Sequence, residues 1–337
     1  MKKALIIGGT GVMGSYLSHD LLDRGYSVEV CSRSVHLSNY ENLSYVIGDF
    51  IDFRTIRSFL TGKHYDAIID FMTYTTAQFA ERYELLLEHT DHFIFLSSYR
   101  AYSDIEIPTR ENSPRLLDIV DDREFLDSDD YSLFKAREEN IIRSSKYKNW
   151  TIVRPAITYS ARRVAFVTLE LPLMLRRAKA KKPIYIPDEV FNIEATCTWA
   201  GDVAKMIALL VQNEKAYCEA FSVCTSEHQT WGTIAGYYKD LIGADVRGIP
   251  TQDYLDFFGN RQVNRWQLRY DRCMQRVMDN SKVLDATGMK QENLMTIRDG
   301  IEKAITEASD KCEWPDYTLL LNIDAAMDDY MAKIKQN

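Results

Sequence analysis

The sequence predicts an α/β protein, in which a doubly wound parallel sheet is followed by a smaller mixed α/β carboxyl-terminal region. Short apolar runs such as residues 67–71 alternate with amphipathic helical patterns, which is typical of strand–helix–strand units. The runs are apolar at nearly every position, as strands buried on both faces of a parallel sheet are. A glycine-rich turn joins the first run, residues 4–7, to the first helical pattern. Together these features indicate an open, layered sheet.

The composition of the chain disfavours a nucleic-acid binder, a metalloprotein and a membrane protein. The 337 residues carry a formal net charge of −8, which argues against a protein that binds nucleic acid by charge. The six cysteines form no CxxC pair, and His89 and His92 lack further ligands nearby in sequence, so we expect reduced thiols and no metal. The first strand begins at residue 4 and no run of about 18 apolar residues occurs. We therefore expect a cytoplasmic protein with no membrane partner.

The glycine-rich turn is the first chemical landmark. Gly8, Gly11 and Gly14 follow the first strand at equal spacing and precede a helix. Glycine allows a sharp turn, a close approach of the backbone to a pyrophosphate, and tight packing of helix on strand, while the helix N-terminus attracts the anion. This context favours a Rossmann-type dinucleotide site over a purely structural turn. Thr10, Val12 and Met13 lie between the glycines and would share the contact.

The end of the second strand, residues 27–32, bears on the choice of cofactor. An acidic side chain there would bind the 2′-hydroxyl of NAD, whereas an arginine can hold the 2′-phosphate of NADP. The sequence has Ser32 and Arg33 at this point. NADP is therefore favoured over NAD, with a surface arginine of no special role as the alternative.

Two later landmarks carry acid–base chemistry. Ser97 and Ser98 end the fifth apolar strand, at the carboxyl edge where ligands of parallel sheets gather. Tyr131 and Lys135 are four residues apart in a helical pattern, so their side chains project from the same face. An ammonium close to a tyrosine stabilises the phenolate, which suits a general acid or base near neutrality. A serine hydroxyl could hydrogen-bond the reacting oxygen.

With its GxxGxxG turn, the serine after strand five and YxxxK, the chain resembles the extended short-chain dehydrogenase/reductase superfamily, which includes the nucleotide-sugar modifying NAD-dependent epimerases and dehydratases. The resemblance implies that Tyr131 and Lys135 are catalytic with Ser98, for which Ser97 is the nearest rival. It also implies that Tyr131 and Lys135 hold the cofactor, together with four further residues. These are Asp49, which would contact adenine, Phe50, Phe71 and Pro155.

The resemblance also implies where a substrate would bind and which reaction is disfavoured. Dehydratases of the family carry an Asp-Glu pair immediately after the active-site serine or threonine, where this chain has Tyr99 and Arg100, so we disfavour 4,6-dehydration. Ile157 occupies the place of the epimerases' substrate-contacting asparagine, which puts the epimerase substrate in doubt. The residues expected to contact substrate are Tyr99, Arg100, Tyr159, Arg162 and Arg163.

These observations predict two regions. Residues 1–160 form the dinucleotide-binding domain, whose sheet is completed by later segments such as residues 190–205. Residues 161–337 form mainly a substrate-binding region with a helical carboxyl-terminal extension. We expect an NAD(P)-dependent oxidoreductase or epimerase that acts on a hydroxyl or keto group of a nucleotide sugar, as a homodimer. The alternative is a non-catalytic member of the same fold that binds RNA or senses the cofactor.

Overall fold

The computed structural model describes residues 1–308 and 317–334 and divides the chain into two compact units. The first unit comprises residues 1–158, 198–226 and 278–294. The second comprises residues 159–197, 227–277 and the described part of residues 295–337. The chain therefore leaves the first unit near residue 158 and returns to it twice.

Strands and helices are numbered in chain order. The strands are β1 (Lys2–Ile7), β2 (Tyr26–Ser32), β3 (Leu43–Ile47), β4 (Ala67–Asp70), β5 (Phe93–Leu96), β6 (Trp150–Val153), β7 (Ile157–Tyr159), β8 (Ala165–Phe166), β9 (Leu169–Glu170), β10 (Ile184–Pro187), β11 (Glu194–Ala195), β12 (Cys197–Trp199), β13 (Glu219–Phe221), β14 (Gln229–Thr230) and β15 (Val246–Ile249). The helices are α1 (Val12–Asp23), α2 (Phe53–Leu60), α3 (Thr76–Glu88), α4 (Leu116–Ile119), α5 (Arg123–Asp127), α6 (Tyr131–Ser144), α7 (Leu171–Lys179), α8 (Ala200–Leu210), α9 (Trp231–Ile242), α10 (Thr251–Asp256), α11 (Gln262–Gln267), α12 (Ser281–Thr287), α13 (Ile297–Ala308) and α14 (Tyr317–Ile334).

The first unit is built on a seven-stranded sheet in the order β13-β6-β5-β4-β1-β2-β3. All neighbouring strands in it run parallel. Ile7, at the end of β1, lies between Cys31 of β2 and Asp70 of β4. The strand order reverses at β1, and ligands of open α/β sheets bind beyond the carboxyl ends of the strands at such a point. The Rossmann-type prediction is confirmed.

Both faces of this sheet are buried, which explains the continuous apolar strands. Ala4 and Ile6 of β1 face one core, which is completed by helices α1 and α8. Leu5 and Ile7 face the other core, to which α2, α3 and α6 contribute. With no solvent-facing side, the central strands have no position that favours a polar residue except at their ends.

The sheet is completed by a different segment from the predicted one. Its last strand is β13, which pairs with β6 so that Phe221 lies opposite Val153. The predicted segment, residues 190–205, instead supplies the small strands β11 and β12 and the start of α8. Residues 196–204 are too polar, and contain too few consecutive apolar residues, for the sequence to identify the strand with which they would pair. Which strand pairs with β6 at the edge of the sheet depends on how the chain returns to the first unit, and this is a property of the tertiary structure.

The second unit consists of short strand pairs and helices. β10 and β15 pair in parallel, and β11 pairs with β14 in antiparallel fashion. The buried guanidinium of Arg177 on α7 contacts Asp324 at 2.6 Å and Asp328 at 3.2 Å, and both acids belong to α14. The helical extension is thus fastened to α7 by buried charge. Residues 309–316 and 335–337 of the predicted extension lie outside the described residues.

Candidate active site

The glycine turn has the geometry that the sequence predicts for it. Gly8 has φ of +73°, and a Cβ on it would lie 2.8 Å from Met72 Sδ. A Cβ on Gly14 would lie 2.3 Å from the carbonyl oxygen of Gly9, so α1 packs directly on the turn. Around Gly11 a Cβ would meet nothing within 4 Å. The turn is therefore tight on its protein side and open at Gly11.

The open side leads to the N-terminus of α1. Gly11 is the N-cap, with no side-chain cap, and the first turn contains no acidic residue. Val12 and Met13 are part-buried there, as is Thr10 in the turn. Uncapped N–H groups and the positive end of the helix dipole suit a phosphate group. The residues present fit a dinucleotide pyrophosphate.

The predicted ribose and adenine contacts lie at the ends of β2 and β3. Ser32 is buried, and its Oγ accepts a hydrogen bond from the Ser34 amide at 3.1 Å. Arg33 is exposed, as is Asp49, whereas Phe50 is buried. Arg33 therefore presents its charge to solvent beside a strand end that has no acidic side chain.

The structure separates the two candidate serines. Ser97 donates to Glu139 on α6, and Glu139 is held by Arg154 at 2.6 Å and 2.7 Å, so Ser97 belongs to a buried network. Burial would raise the pKa of Glu139, but the Arg154 guanidinium outweighs it and holds that pKa below its ordinary value. Ser98 accepts a hydrogen bond from the Arg100 amide at 3.2 Å and keeps its own hydroxyl hydrogen to donate. The geometry supports Ser98 over Ser97 as the serine that meets a ligand.

Tyr131 and Lys135 occupy the first turns of α6. The Asp130 carboxylate caps this helix by accepting from the Ser132 amide, which fixes where the helix begins. Tyr131 is part-buried, with its ring 5.3 Å from that of Phe134 in an edge contact. Lys135 is 1% exposed, and its Nζ donates to the Met72 carbonyl at 3.4 Å. The ammonium is held beneath the turn that follows β4.

Two carboxylates that the sequence reasoning missed accompany Lys135. Glu138 lies one helical turn further on, 3.1 Å from Lys135 Nζ, and Asp70 ends β4. Burial raises the pKa of Glu138 to about 7 and that of Asp70 to about 6, although Lys135 acts in the opposite direction on both. Asp70 had a signal in the sequence, because it is the one charged residue in a buried apolar strand. Glu138 had only its spacing from Lys135.

Tyr99 and Arg100, expected to contact substrate, follow Ser98 directly. The Arg100 guanidinium lies 5.1 Å from the centre of the Tyr131 ring and 3.5 Å from the Asp130 carboxylate. Tyr99 is buried, and its amide donates to the carbonyl of Pro155, itself buried, at 3.1 Å. Arg100 is thus placed beside Tyr131. Phe71, at the end of β4, is part-buried and donates its amide to the Ile7 carbonyl at 2.9 Å.

The remaining substrate candidates belong to the second unit. Tyr159 is buried, and its hydroxyl donates to the Ile297 carbonyl at 3.3 Å at the start of α13. The nearest atoms to a Cβ on Gly300 would also be those of Tyr159. This hydroxyl is used in packing within the second unit, and its contact with a substrate stays a prediction. Arg162 and Arg163 are exposed, and Arg163 lies 3.3 Å from Glu170.

His92 is a core residue. Its Nδ1 accepts from the Gln212 amide at 2.8 Å, and its Nε2 lies 2.7 Å from the Thr151 hydroxyl. Burial lowers the pKa of His92 to about 4. Among the described residues no group of three or more His, Cys, Asp or Glu side chains could hold a metal ion. In the same part of the chain, no helix is both long and apolar enough to cross a membrane.

Comparison with known families is decisive at this point. The model of the NAD dependent epimerase/dehydratase family matches residues 4–224. The chain belongs to this family. The match includes the glycine turn, both serines, Tyr131 and Lys135. The resemblance inferred from the motifs is confirmed at the level of the family.

One curated relative of this family member has a distantly similar sequence. The chain is 26% identical over 254 residues to the chloroplast stem-loop binding protein of 41 kDa b from Arabidopsis thaliana; the aligned region covers 69% of the chain and 61% of that relative. The chain thus spans about six-tenths of the length of this curated relative.

Solved structures share the fold. WbmG of Bordetella bronchiseptica, in complex with NAD and UDP, has a TM-score of 0.69 at 16% identity, over 91% of this chain and 94% of that one. The dTDP-glucose 4,6-dehydratase of Bacillus anthracis, in complex with NAD, has a TM-score of 0.69 at 14% identity, over 93% and 98% of the two chains.

Proposed function

We propose that this family member is an NAD(P)-dependent oxidoreductase or epimerase that acts on a hydroxyl or keto group of a nucleotide sugar. The observation that carries the proposal is the placement of Ser98, Tyr131 and Lys135 within the first unit. Ser98 lies outside the buried Ser97 network, and Tyr131 and Lys135 share one face of α6. The WbmG complex with NAD and UDP supports the choice of ligands.

In this proposal the glycine turn, Tyr131, Lys135 and Ser98 have different roles in binding and catalysis. When bound, a nicotinamide cofactor supplies hydride exchange with the carbon that bears the reacting oxygen. Gly8, Gly11 and Gly14 would hold its pyrophosphate against α1. Tyr131 would move the hydroxyl proton, Lys135 would stabilise the phenolate and bind the nicotinamide ribose, and Ser98 would orient the oxygen. Tyr99 and Arg100 supply no acid pair for eliminating water, so we propose reduction or epimerisation rather than 4,6-dehydration.

Replacing one hydroxyl tests the reaction. Tyr131→Phe removes the acid–base group without changing the shape of the ring, so turnover of a nucleotide sugar should fall by about 10²–10⁴-fold. Cofactor affinity should stay within about twofold, as measured by fluorescence titration. Tyr40→Phe, at a tyrosine that is 55% exposed, is the matched control and should keep full activity. Unchanged turnover in Tyr131→Phe would refute the assignment.

The proposed cofactor preference depends on Ser32 and Arg33. We propose NADP over NAD because Arg33 is exposed beside a strand end that lacks an acidic side chain. NADPH should bind roughly tenfold tighter than NADH, and Arg33→Ala should remove that difference, since a charged hydrogen bond contributes about 1.5–3 kcal/mol. Arg24→Ala, also at an exposed arginine, is the control. A clear preference for NADH in the wild-type protein would contradict this prediction.

A second function is favoured by one observation, the likeness to a protein named for stem-loop binding. In that case the chain would bind RNA rather than turn over a sugar. Retention on a structured RNA that collapses as salt is added would support this function. The net charge of −8 disfavours it. The homodimer and the cytoplasmic location stay predictions of the family resemblance and of the sequence.

A further inference from the structure

Three ionisable side chains meet around Lys135, in a buried part of the first unit. Lys135 and Glu138 lie on α6 with side-chain exposures of 1% and 0%, and their Nζ and Oε2 atoms are 3.1 Å apart. Asp70 reaches the same place from the end of β4 and is 1% exposed. Because Lys135 lowers the pKa of both acids against the effect of burial, the three groups interact electrostatically. We call them the Lys135 cluster.

The carboxylates of this cluster are incompletely satisfied. Asp70 Oδ1 accepts from the Met72 amide at 2.9 Å and from the Tyr74 hydroxyl at 3.4 Å. Among the described residues, however, Asp70 Oδ2 and Glu138 Oε1 are buried without a hydrogen-bond partner, and Glu138 Oε2 has the Lys135 ammonium at 3.1 Å as its ion-pair partner. Burying oxygens without partners lowers the stability of the fold, and lowers it more when the oxygens are charged. A buried site that lowers stability in this way calls for a functional explanation.

Packing alone does not call for two acids here. The Lys135 ammonium lies 4.6 Å from the centre of the Phe95 ring and donates a hydrogen bond to the Met72 carbonyl. These two contacts already stabilise the buried side chain and its charge in part. Replacing a buried ion pair with apolar side chains is often neutral or stabilising. What two acids add is a strong local preference for the charged form of the lysine, in a place where burial disfavours that form.

We propose that Asp70 and Glu138 are positioning residues, which keep Lys135 charged and in place beneath Tyr131. This inference rests on the proposed function, in which Tyr131 is the acid–base group. The two acids act through Lys135 and need not touch a substrate. Without them the buried ammonium would lose its counter-charges and burial would favour its neutral form, so that the phenolate of Tyr131 would lose the stabilising charge of Lys135.

Other charged groups face the Lys135 cluster, and the variants used to test the proposal leave these groups unchanged. Burial raises the pKa of Glu138 to about 7 and of Asp70 to about 6, so Asp70 is mostly ionised at neutral pH, Glu138 is about half ionised there, and both are ionised in the alkaline range where a tyrosine titrates. Arg115, on the α4 side of α6, faces Glu139 instead. The groups that face the cluster or Tyr131 are Tyr74 after β4, Arg82 on α3, Arg100 after β5, and Asp129 and Asp130 before α6.

The ionisation of Tyr131 can be measured without any substrate. The absorbance of phenolate near 295 nm is followed against pH for the full-length protein and for its Tyr131→Phe variant, and the difference gives the midpoint for Tyr131. The same pair of measurements is made with Asp70→Asn, with Glu138→Gln, with both together, and with Lys135→Met. Asp127→Asn, at an exposed acid on the neighbouring helix α5, is the control.

The double substitution should raise the Tyr131 midpoint by about one pH unit, a tenfold weaker ionisation, towards that of Lys135→Met. Glu138→Gln alone should raise the Tyr131 midpoint by less. If the double variant does not fold, the midpoint measured in Glu138→Gln tests the proposal. A midpoint unchanged within experimental error, or lowered, would overturn the proposal. Because no substrate is used, failure of the nucleotide-sugar assay would leave this measurement intact.

Discussion

At the scale of single residues, three equally spaced glycines have three different environments. Gly8 needs a left-handed backbone, Gly14 leaves no room for a Cβ, and Gly11 faces open space with an ordinary φ of −74°. The spacing in the sequence predicted a turn and a helix start, and both are present. The spacing could not predict why each position needs glycine, because that reason depends on which atoms of Met72 or Gly9 lie close to it in the folded protein.

Because Gly14 and Gly11 have different surroundings, alanine at Gly14 should mainly affect stability, whereas alanine at Gly11 should mainly affect cofactor binding. Gly14→Ala would press a methyl group against the Gly9 backbone and should destabilise the protein by about 1–3 kcal/mol or more. Gly11→Ala should cost no more than about 1 kcal/mol as a change of N-cap, but should weaken dinucleotide binding about tenfold by occupying the open side. Thermal melts and cofactor titrations measure both. Equal melting temperatures for the two variants would contradict the expectation.

At the scale of secondary-structure elements, β5, β6 and α6 are joined by buried charge. Arg154, just after β6, pairs with Glu139 of α6, bonds to the Tyr102 hydroxyl and donates to the Glu111 carbonyl at 2.9 Å. Ser97, just after β5, completes this network through Glu139. The network holds the middle of α6 against the ends of β5 and β6, two helical turns beyond Tyr131.

Removing Glu139 should therefore cost far more than removing its neighbour. Glu139→Ala leaves the Arg154 guanidinium buried and unpaired at this point, so the free energy of unfolding should fall by about 3–5 kcal/mol. Asn140→Ala, at the next and exposed position of α6, should change it by less than about 0.5 kcal/mol. Chemical denaturation of the two variants provides the comparison. A loss of under 1 kcal/mol for Glu139→Ala would contradict the role given to the network.

The residues before α6 have a local composition that does not indicate their structure. Residues 118–130 are rich in acids, which is typical of a solvated loop, yet they include α5 and the end of α4. Asp122 caps α5 by accepting from the Phe125 amide, and Phe125 is fully buried. One buried aromatic residue outweighs the charge of its neighbours, and its burial depends on tertiary contacts.

At the scale of the whole molecule, the first unit is not continuous in sequence. Helix α8 packs on α1, although some 180 residues separate them, and β13 extends the sheet beyond β6. The domain boundary predicted at residue 160 lies close to the first exit from this unit, at residue 158. Two later segments return to the unit, which a boundary at one position cannot represent.

A fragment of residues 1–160 should consequently fail to fold cooperatively. It lacks the apolar face of α8, in which Val203, Ile207 and Leu210 are fully buried against α1. Each such side chain contributes about 1.5–3 kcal/mol by its burial, so their loss is comparable with the total stability of a domain, about 5–15 kcal/mol. A broad thermal transition and binding of a hydrophobic dye are expected, with the full-length chain as control. A sharp transition at the full-length melting temperature would refute this.

The sequence by itself determined the parallel sheet, the glycine turn, the helix that carries Tyr131 and Lys135, and the family. These features depend on neighbours within a few residues, where apolar runs, glycine spacing and the helical repeat act directly. Only the tertiary structure distinguished Ser98 from Ser97, placed Asp70 and Glu138 beside Lys135, and completed the sheet with β13. Those outcomes depend on distant segments that become neighbours on folding, because burial and electrostatic pairing act through space rather than along the chain.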